Sequence, residues 1–224
     1  MKQDSFYADR LMSTFVPAEA RAIAVAMETN LLSKPNAGQT ASNSNTINGG
    51  KHRYVASGTN DVMTLADITR ARYALRKANV PLTNLVGIVD PSVAQSFATQ
   101  PNLLNLLSEN QAWDPVVVSG MTSGMRFVVN IAGFDIYESN YLPSSISETI
   151  DGNAVTNGVA NYFFSAAPGV TPLVGLLRQA PTVESEYKKD KQREEYITVV
   201  RYGFAFYRPE NMVTIISDNS QVYA

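Results

Sequence analysis

The single histidine of the chain, His52, is the first residue to consider for chemistry, because a serine, histidine and acid triad would have to use it as base. It stands in "NAGQTASNSNTINGGKHRY", residues 36–54, a run that reads as a long exposed loop or flexible hairpin tip. No rigid element there would hold an imidazole in place. Gly49, Gly50 and Lys51 suggest a phosphate-cradling loop, but that loop needs Ser or Thr after its lysine and an earlier glycine, and the chain offers His52 and Asn45. The pattern fails. Metal ligation by acids and histidine needs a cluster, whereas the close pairs Glu184 with Glu186 and Glu194 with Glu195 sit beside lysines and read as surface charge pairs. Asp90 ends an apolar run and would suit a catalytic carboxylate in an α/β enzyme, but its place directly before Pro91 favours a helix N-cap. Arg72 and Arg76 are candidates for a phosphate, and a solvated helix face accounts for them equally well. No catalytic, cofactor-binding or metal-binding constellation is left.

The elements that would position these residues follow from periodicity. Pro17 opens "PAEARAIAVAMETNLLSK", where Ala20, Ile23, Ala24, Met27 and Leu31 recur at helical spacing, and Pro35 is expected beyond the helix end. Thr64 to Asn79 repeats the pattern, with Leu65, Ile68, Ala71, Leu75 and Ala78 on one stripe and Thr64 with Asp67 as a capping box. "NLVGIVDPS" predicts a short strand ending at Asp90, then a helix from Pro91 through Phe97, with Pro101 interrupting before "NLLNLLSE". From Met125 onward the texture is mainly β. "MRFVVNIAGFDIYES" predicts two strands pinched by Gly133, followed by strands in "ANYFFSAAPG" and "TPLVGLLRQA". The charged run "KKDKQREE" predicts a solvated turn before the long strand "YITVVRYGFAFY". In that strand Tyr196, Val200, Tyr202, Phe204 and Phe206 share one face and Ile197, Val199 and Ala205 the other, which predicts that both faces are covered.

Composition narrows the partners. Eighteen Lys and Arg against twenty Asp and Glu give a net charge of −2, which argues against a protein whose main task is gripping DNA or anionic lipid. With no cysteine there is no disulfide, thiolate metal site or thiol nucleophile. No apolar run approaches the roughly 20 residues of a membrane-spanning helix, and "MKQDSFYADRLMSTF" lacks the layout of a secretory signal, so synthesis in the cytoplasm is expected.

Segment order carries more. "VNIAGFDIYESNYLP", residues 129–143, resembles a signature of tailed-bacteriophage major capsid proteins, with Ser139, Asn140, Leu142 and Pro143 matching its Ser-Asn-x-x-Pro end. Upstream, "TLADITRARYALRKANVPLTNLVGIVDPSVAQSF" resembles the helix, "NVP" turn, strand and "DP" helix of that family. Downstream, "VVRYGFAFYRPENMVTII" resembles its closing strands. The resemblance spans about residues 64–216.

It implies an α+β chain with a Hong Kong 97-like capsid fold, made of a peripheral domain with a spine helix and long antiparallel strands and an axial domain with a mixed sheet flanked by helices. The expected divisions are 1–62 for the N-terminal segment, spine helix and exposed loop, and 63–145 for the axial domain. Residues 146–200 would be peripheral strands and 201–224 a return to the axial sheet. The family usually carries an N-terminal arm and extended loop before the spine helix. Only sixteen residues precede Pro17 here, so most of both is expected to be missing. The implied function is that of a non-enzymatic coat protein of the virion, made in the bacterial host cytoplasm and assembling with itself into pentamers and hexamers of an icosahedral head. Scaffold, portal and cement proteins are implied partners. Packaged double-stranded DNA lies close by without specific binding, and no cofactor, metal or membrane is involved. The competing readings are an α/β enzyme or ligand-binding domain using Asp90, Arg126 or tyrosines, a phage-tail adaptor, and an encapsulin-like bacterial compartment shell.

Overall fold

The computed structural model describes the backbone of residues 2–99, 126–191 and 193–218, with the side chains in them except those of 2–16, 98–99, 126–129, 185, 193–194 and 196. The expected break at Pro101 and the segment "NLLNLLSE" lie outside the described residues. The chain divides into two compact units, residues 1–31 with 174–205 and residues 32–173 with 206–224.

Helix α1, Lys2–Gly38, differs from expectation at both ends, because Pro17 and Pro35 lie inside it. Each proline removes one backbone donor, yet its fixed φ is already helical, so the path continues. Near the end the Gln39 N–H still reaches the Pro35 carbonyl at 3.1 Å.

In the larger unit, two short strands, β1 (Thr46–Ile47) and β2 (Gly50–Lys51), form a hairpin, and β3 (Arg53–Val55) follows. Helix α2, Leu65–Lys77, begins at Thr64 as expected. The Asp67 carboxylate accepts the Thr64 N–H and the Thr64 hydroxyl, both at 2.9 Å, and the Ser57 N–H at 3.1 Å. This carboxylate is fully buried, so its three donors replace the water it lost.

Strand β4 (Leu85–Val89) then runs into α3 (Pro91–Thr99), as the sequence predicts. Strands β5 (Arg126–Ile131) and β6 (Phe134–Glu138) meet at Ala132 and Gly133, whose φ values of 52° and 86° make the tight two-residue loop that suits the twist of a hairpin. Strands β7 (Ile146–Ile150), β8 (Asn153–Ser165) and β11 (Met212–Asp218) complete a seven-stranded sheet in the order β3-β11-β8-β4-β6-β5, with β7 alongside β8. It is mixed: β3 with β11 and β4 with β6 are parallel, and the remaining neighbours antiparallel.

Both faces of this sheet are covered. Leu85, Val89, Phe163, Val213 and Ile215 pack with Ile68, Ala71, Leu75, Val93 and Phe97 from α2 and α3. Ile88, Tyr162 and Met212 pack with Leu32 of α1 and Leu142. The Tyr162 hydroxyl donates to the Leu32 carbonyl at 2.8 Å, so its polar tip is satisfied inside the core. Gly87 lies where two side chains leave no room, since a Cβ there would sit 2.6 Å from Ile136 Cδ1 and 2.9 Å from Phe163 Cε1.

The smaller unit contains α1 up to Leu31 and most of β9 (Leu173–Lys188) and β10 (Arg193–Phe206), which form a two-stranded ribbon. Glu19 of the helix accepts a hydrogen bond from the Thr198 hydroxyl at 2.6 Å.

Candidate interaction surface

Of the residues singled out for chemistry, His52, Asp90 and Arg72 are occupied with holding the fold. His52 corrects the expectation of an exposed, mobile loop: it is fully buried, as are Gln39, Gly50 and Arg53 within the same stretch. Its Nδ1–H donates to the Met212 carbonyl at 2.9 Å and its own carbonyl accepts the Thr214 N–H at 2.9 Å, which fixes the ring beside the β3–β11 pair. The Nε2 atom has no partner, so no serine completes a triad there. Burial lowers the His52 pKa from its ordinary 6.5, against the smaller opposing effects of the Met212 carbonyl and Glu210. The imidazole is therefore neutral at pH 7.

Arg53 accounts for much of the burial in this stretch. Its Nη2 lies 2.8 Å from Glu148 Oε1 and 2.9 Å from Asn36 Oδ1, and its Nε lies 3.1 Å from the same Glu148 oxygen. Glu148 Oε2 accepts the Ser42 N–H at 2.9 Å. The Arg53–Glu148 pair ties the end of α1, β3 and β7 together out of water, with both side chains under 5% exposed (2% and 4%).

Asn48 and Gly49, with φ of 49° and 79°, are the turn of the β1–β2 hairpin, and Lys51 pairs with Asp151 at 2.7 Å on the surface. Neither forms a phosphate cradle. Asp90 is an N-cap, as the sequence favours: its Oδ2 accepts the Ser92 N–H at 2.9 Å and the Ser92 hydroxyl at 2.5 Å. Arg72 donates to the Ala132 carbonyl at 2.7 Å and so braces the β5–β6 turn, while Arg76 lies exposed in the last turn of α2. Arg126 opens β5, its side chain outside the described residues. Tyr54 donates to the Asp67 carbonyl at 2.7 Å, and burial, reinforced by Asp67 and opposed by Arg70, pushes its pKa well above 10.0. Lys188 pairs with Glu195 at 2.5 Å across the ribbon's turn, in line with the charge pairs expected there, whereas Glu184 and Glu186 are exposed. Among the described residues no three acids or histidines gather as metal ligands.

The surface that stands out is the ribbon. The sequence predicts both faces of its second strand to be covered, and the structure shows otherwise. Thr198, Val200, Tyr202, Phe204 and Phe206 are half-buried; on the other face Val199 is half-buried as well, but Ile197, Arg201, Gly203 and Ala205 are exposed. The first strand is barer still. From Val174 to Tyr187 every described side chain but that of Gln179 is exposed. Leu176 is 71% exposed, Tyr187 59% and Leu177 53%, and Val174, Val183 and Ile197 are comparable. Leu176 and Leu177 are neighbours in a strand, so they point to opposite faces, and one sheet of cover in this chain would leave one of them in water. That doublet was the available sequence signal for an interface. An open groove lined by Leu176, Arg178, Val200, Arg201, Tyr202 and Gly203 runs along the ribbon.

The chain has an exposed apolar ribbon, a buried mixed sheet and structural roles for His52, Asp90 and Arg72. The sequence matches the phage capsid protein family over residues 8–215. The chain belongs to that family. No curated protein sequence matches it. Solved structures share its fold: a chain of Mycobacterium phage Che8 is 18% identical with a TM-score of 0.59, covering 92% of this chain and 66% of that one. The capsid structure of the cyanophage P-SCSP1u is similar at 15% identity and a TM-score of 0.59, covering 91% and 64%. An encapsulin complex from Synechococcus elongatus is similar at 12% identity and a TM-score of 0.57, covering 96% and 71%. The chain thus spans about two thirds of the length of the first solved chains it matches (66% and 64%). The mixed α+β architecture expected from the sequence is the one found.

Proposed function

We propose that this chain is a structural coat subunit that assembles with copies of itself, as rings of five and six, into the icosahedral head of a tailed phage around double-stranded DNA. The match to the capsid family over residues 8–215 carries this reading. The exposed apolar ribbon supports it, since a shell protein works through repeated contacts rather than an active site. In this reading the unit of α1 and the ribbon takes the peripheral role, and the unit around the seven-stranded sheet the axial role. The subunit resides in the virion, and scaffold and portal proteins are its transient and permanent neighbours. Its net charge of −2 suits a wall that faces packaged DNA without holding it tightly.

A second reading is a bacterial compartment shell, favoured by the similarity to the encapsulin complex over 96% of this chain. Negative-stain microscopy and analysis of the contents of particles, taken both from phage-infected cells and from a bacterial host expressing the chain, test both. Closed particles from phage-infected cells holding nuclease-resistant DNA support the head; closed particles holding one protein cargo support the compartment. Absence of any ring, sheet or particle refutes a shell function.

A further inference from the structure

We infer that β9 is the edge by which two copies of this chain pair, antiparallel about a two-fold axis at Thr182, so that their ribbons join into one four-stranded sheet. This rests on the shell-subunit reading and names one of its contacts. Among the described residues the ribbon has two strands, and β9 keeps an unpaired edge as well as two exposed faces. Two strands alone are marginal in water, and four with apolar faces are not. An exposed strand edge is a ready template for another strand.

The residues along β9 complement one another under one register. A two-fold axis perpendicular to the sheet keeps each face on its own side, so partners must be an even number of residues apart. With Thr182 on the axis, Arg178 lies opposite Glu186 of the second copy, and Leu177 lies opposite its Tyr187. All four side chains are exposed in the single chain. Pro181 lies opposite Val183 on each side of the axis, and each missing donor interrupts the ladder locally without blocking it. Moving the axis by one residue to Pro181 keeps a charge pair, Arg178 with Glu184, but sets Leu177 against Ser185. Moving it to Val183 sets Arg178 against Lys188, a like-charge pair. Opposite charges and apolar pairs directly across antiparallel strands favour pairing, and like charges oppose it. Of these three registers, only the one at Thr182 sets an opposite-charge pair on one face and an apolar pair on the other. Because the contact is isologous, it closes on two copies and links rings instead of extending a fibre.

The chain has no cysteine, which makes thiol cross-linking a direct test. Thr182→Cys should give disulfide-linked dimers as the main product on mild oxidation of the full chain, since like positions meet at the axis within disulfide reach. Leu176→Cys should not, because its counterpart in the second copy lies about 40 Å away at the rise of an antiparallel strand. Arg178→Glu added to Thr182→Cys should lower the cross-linked fraction at least several-fold, and Arg178→Glu with Glu186→Arg should restore it. Equal cross-linking at residues 176 and 182, or failure of the double reversal to restore it, overturns the proposed register. Particles that form in the microscope without cross-linking at residue 182 overturn this contact and leave the shell reading standing. A chain that neither cross-links nor assembles overturns both.

Discussion

Arg53 and Glu148 show what a single residue decides in this fold. A buried ion pair gains little net stability over apolar replacements, but removing one partner strands the other charge out of water. Glu148→Ala is therefore expected to destabilise the chain by about 3–5 kcal/mol, whereas Arg53→Met with Glu148→Leu should recover most of that loss. Urea titrations of the two variants decide it, and equal losses would mean that shape rather than charge pairing matters there. His52 makes a separate prediction. Burial lowers its folded pKa below the unfolded 6.5, so under acid conditions the unfolded chain binds the extra proton and the folded chain resists it. Its contribution to stability is accordingly level above about pH 6.5 and is lost progressively as pH falls below that value. His52→Leu should flatten the pH dependence of the urea midpoint between about pH 6.5 and 5; an unchanged slope would assign the dependence to other groups.

At the scale of elements, the parts legible in the sequence were those whose determinants lie within a few residues. Thr64 and Asp67, Asp90 before Pro91, and Gly133 between two apolar runs each announce an element boundary by local chemistry, and each was found in place. The capping box of α2 should be correspondingly costly to break. Asp67→Ala leaves the Ser57 and Thr64 N–H groups unpaired, which predicts a loss of about 2–3 kcal/mol in thermal or urea unfolding. Gly87→Ala should cost about 1–3 kcal/mol by overpacking against Ile136 and Phe163, and a neutral result would show that the sheet yields there. Within residues 36–54 the exposed hairpin was legible, but the burial of His52 and Arg53 was not, because it depends on partners far along the chain. Glu148 is 95 residues from Arg53, and Met212 is 160 from His52, so a polar, glycine-rich run reads as loop until those partners are known. Pro17 misleads for a related reason: proline is compatible with a helix start and, at the loss of one hydrogen bond, with its interior, and local sequence does not separate the two.

For the whole molecule, the pattern of the ribbon was visible and its meaning was not. Apolar residues on both faces of a strand signal cover on both faces, and the sequence is the same whether that cover comes from this chain or from another. The structure shows that Leu176, Leu177 and Tyr187 lack cover from the described residues of their own chain. Leu176→Glu with Leu177→Glu should thus abolish or strongly weaken self-association while leaving the urea midpoint of the single chain nearly unchanged, within about 0.5 kcal/mol as for other exposed positions. A large drop in the midpoint would instead place both leucines in the fold's own stability. The most direct measurement of the central claim, that this chain exists to associate with itself, is sedimentation velocity of the purified chain over a range of concentrations. The account predicts discrete species at multiples of the single-chain mass, growing with concentration towards rings or closed particles. A single-chain mass at every concentration would contradict it.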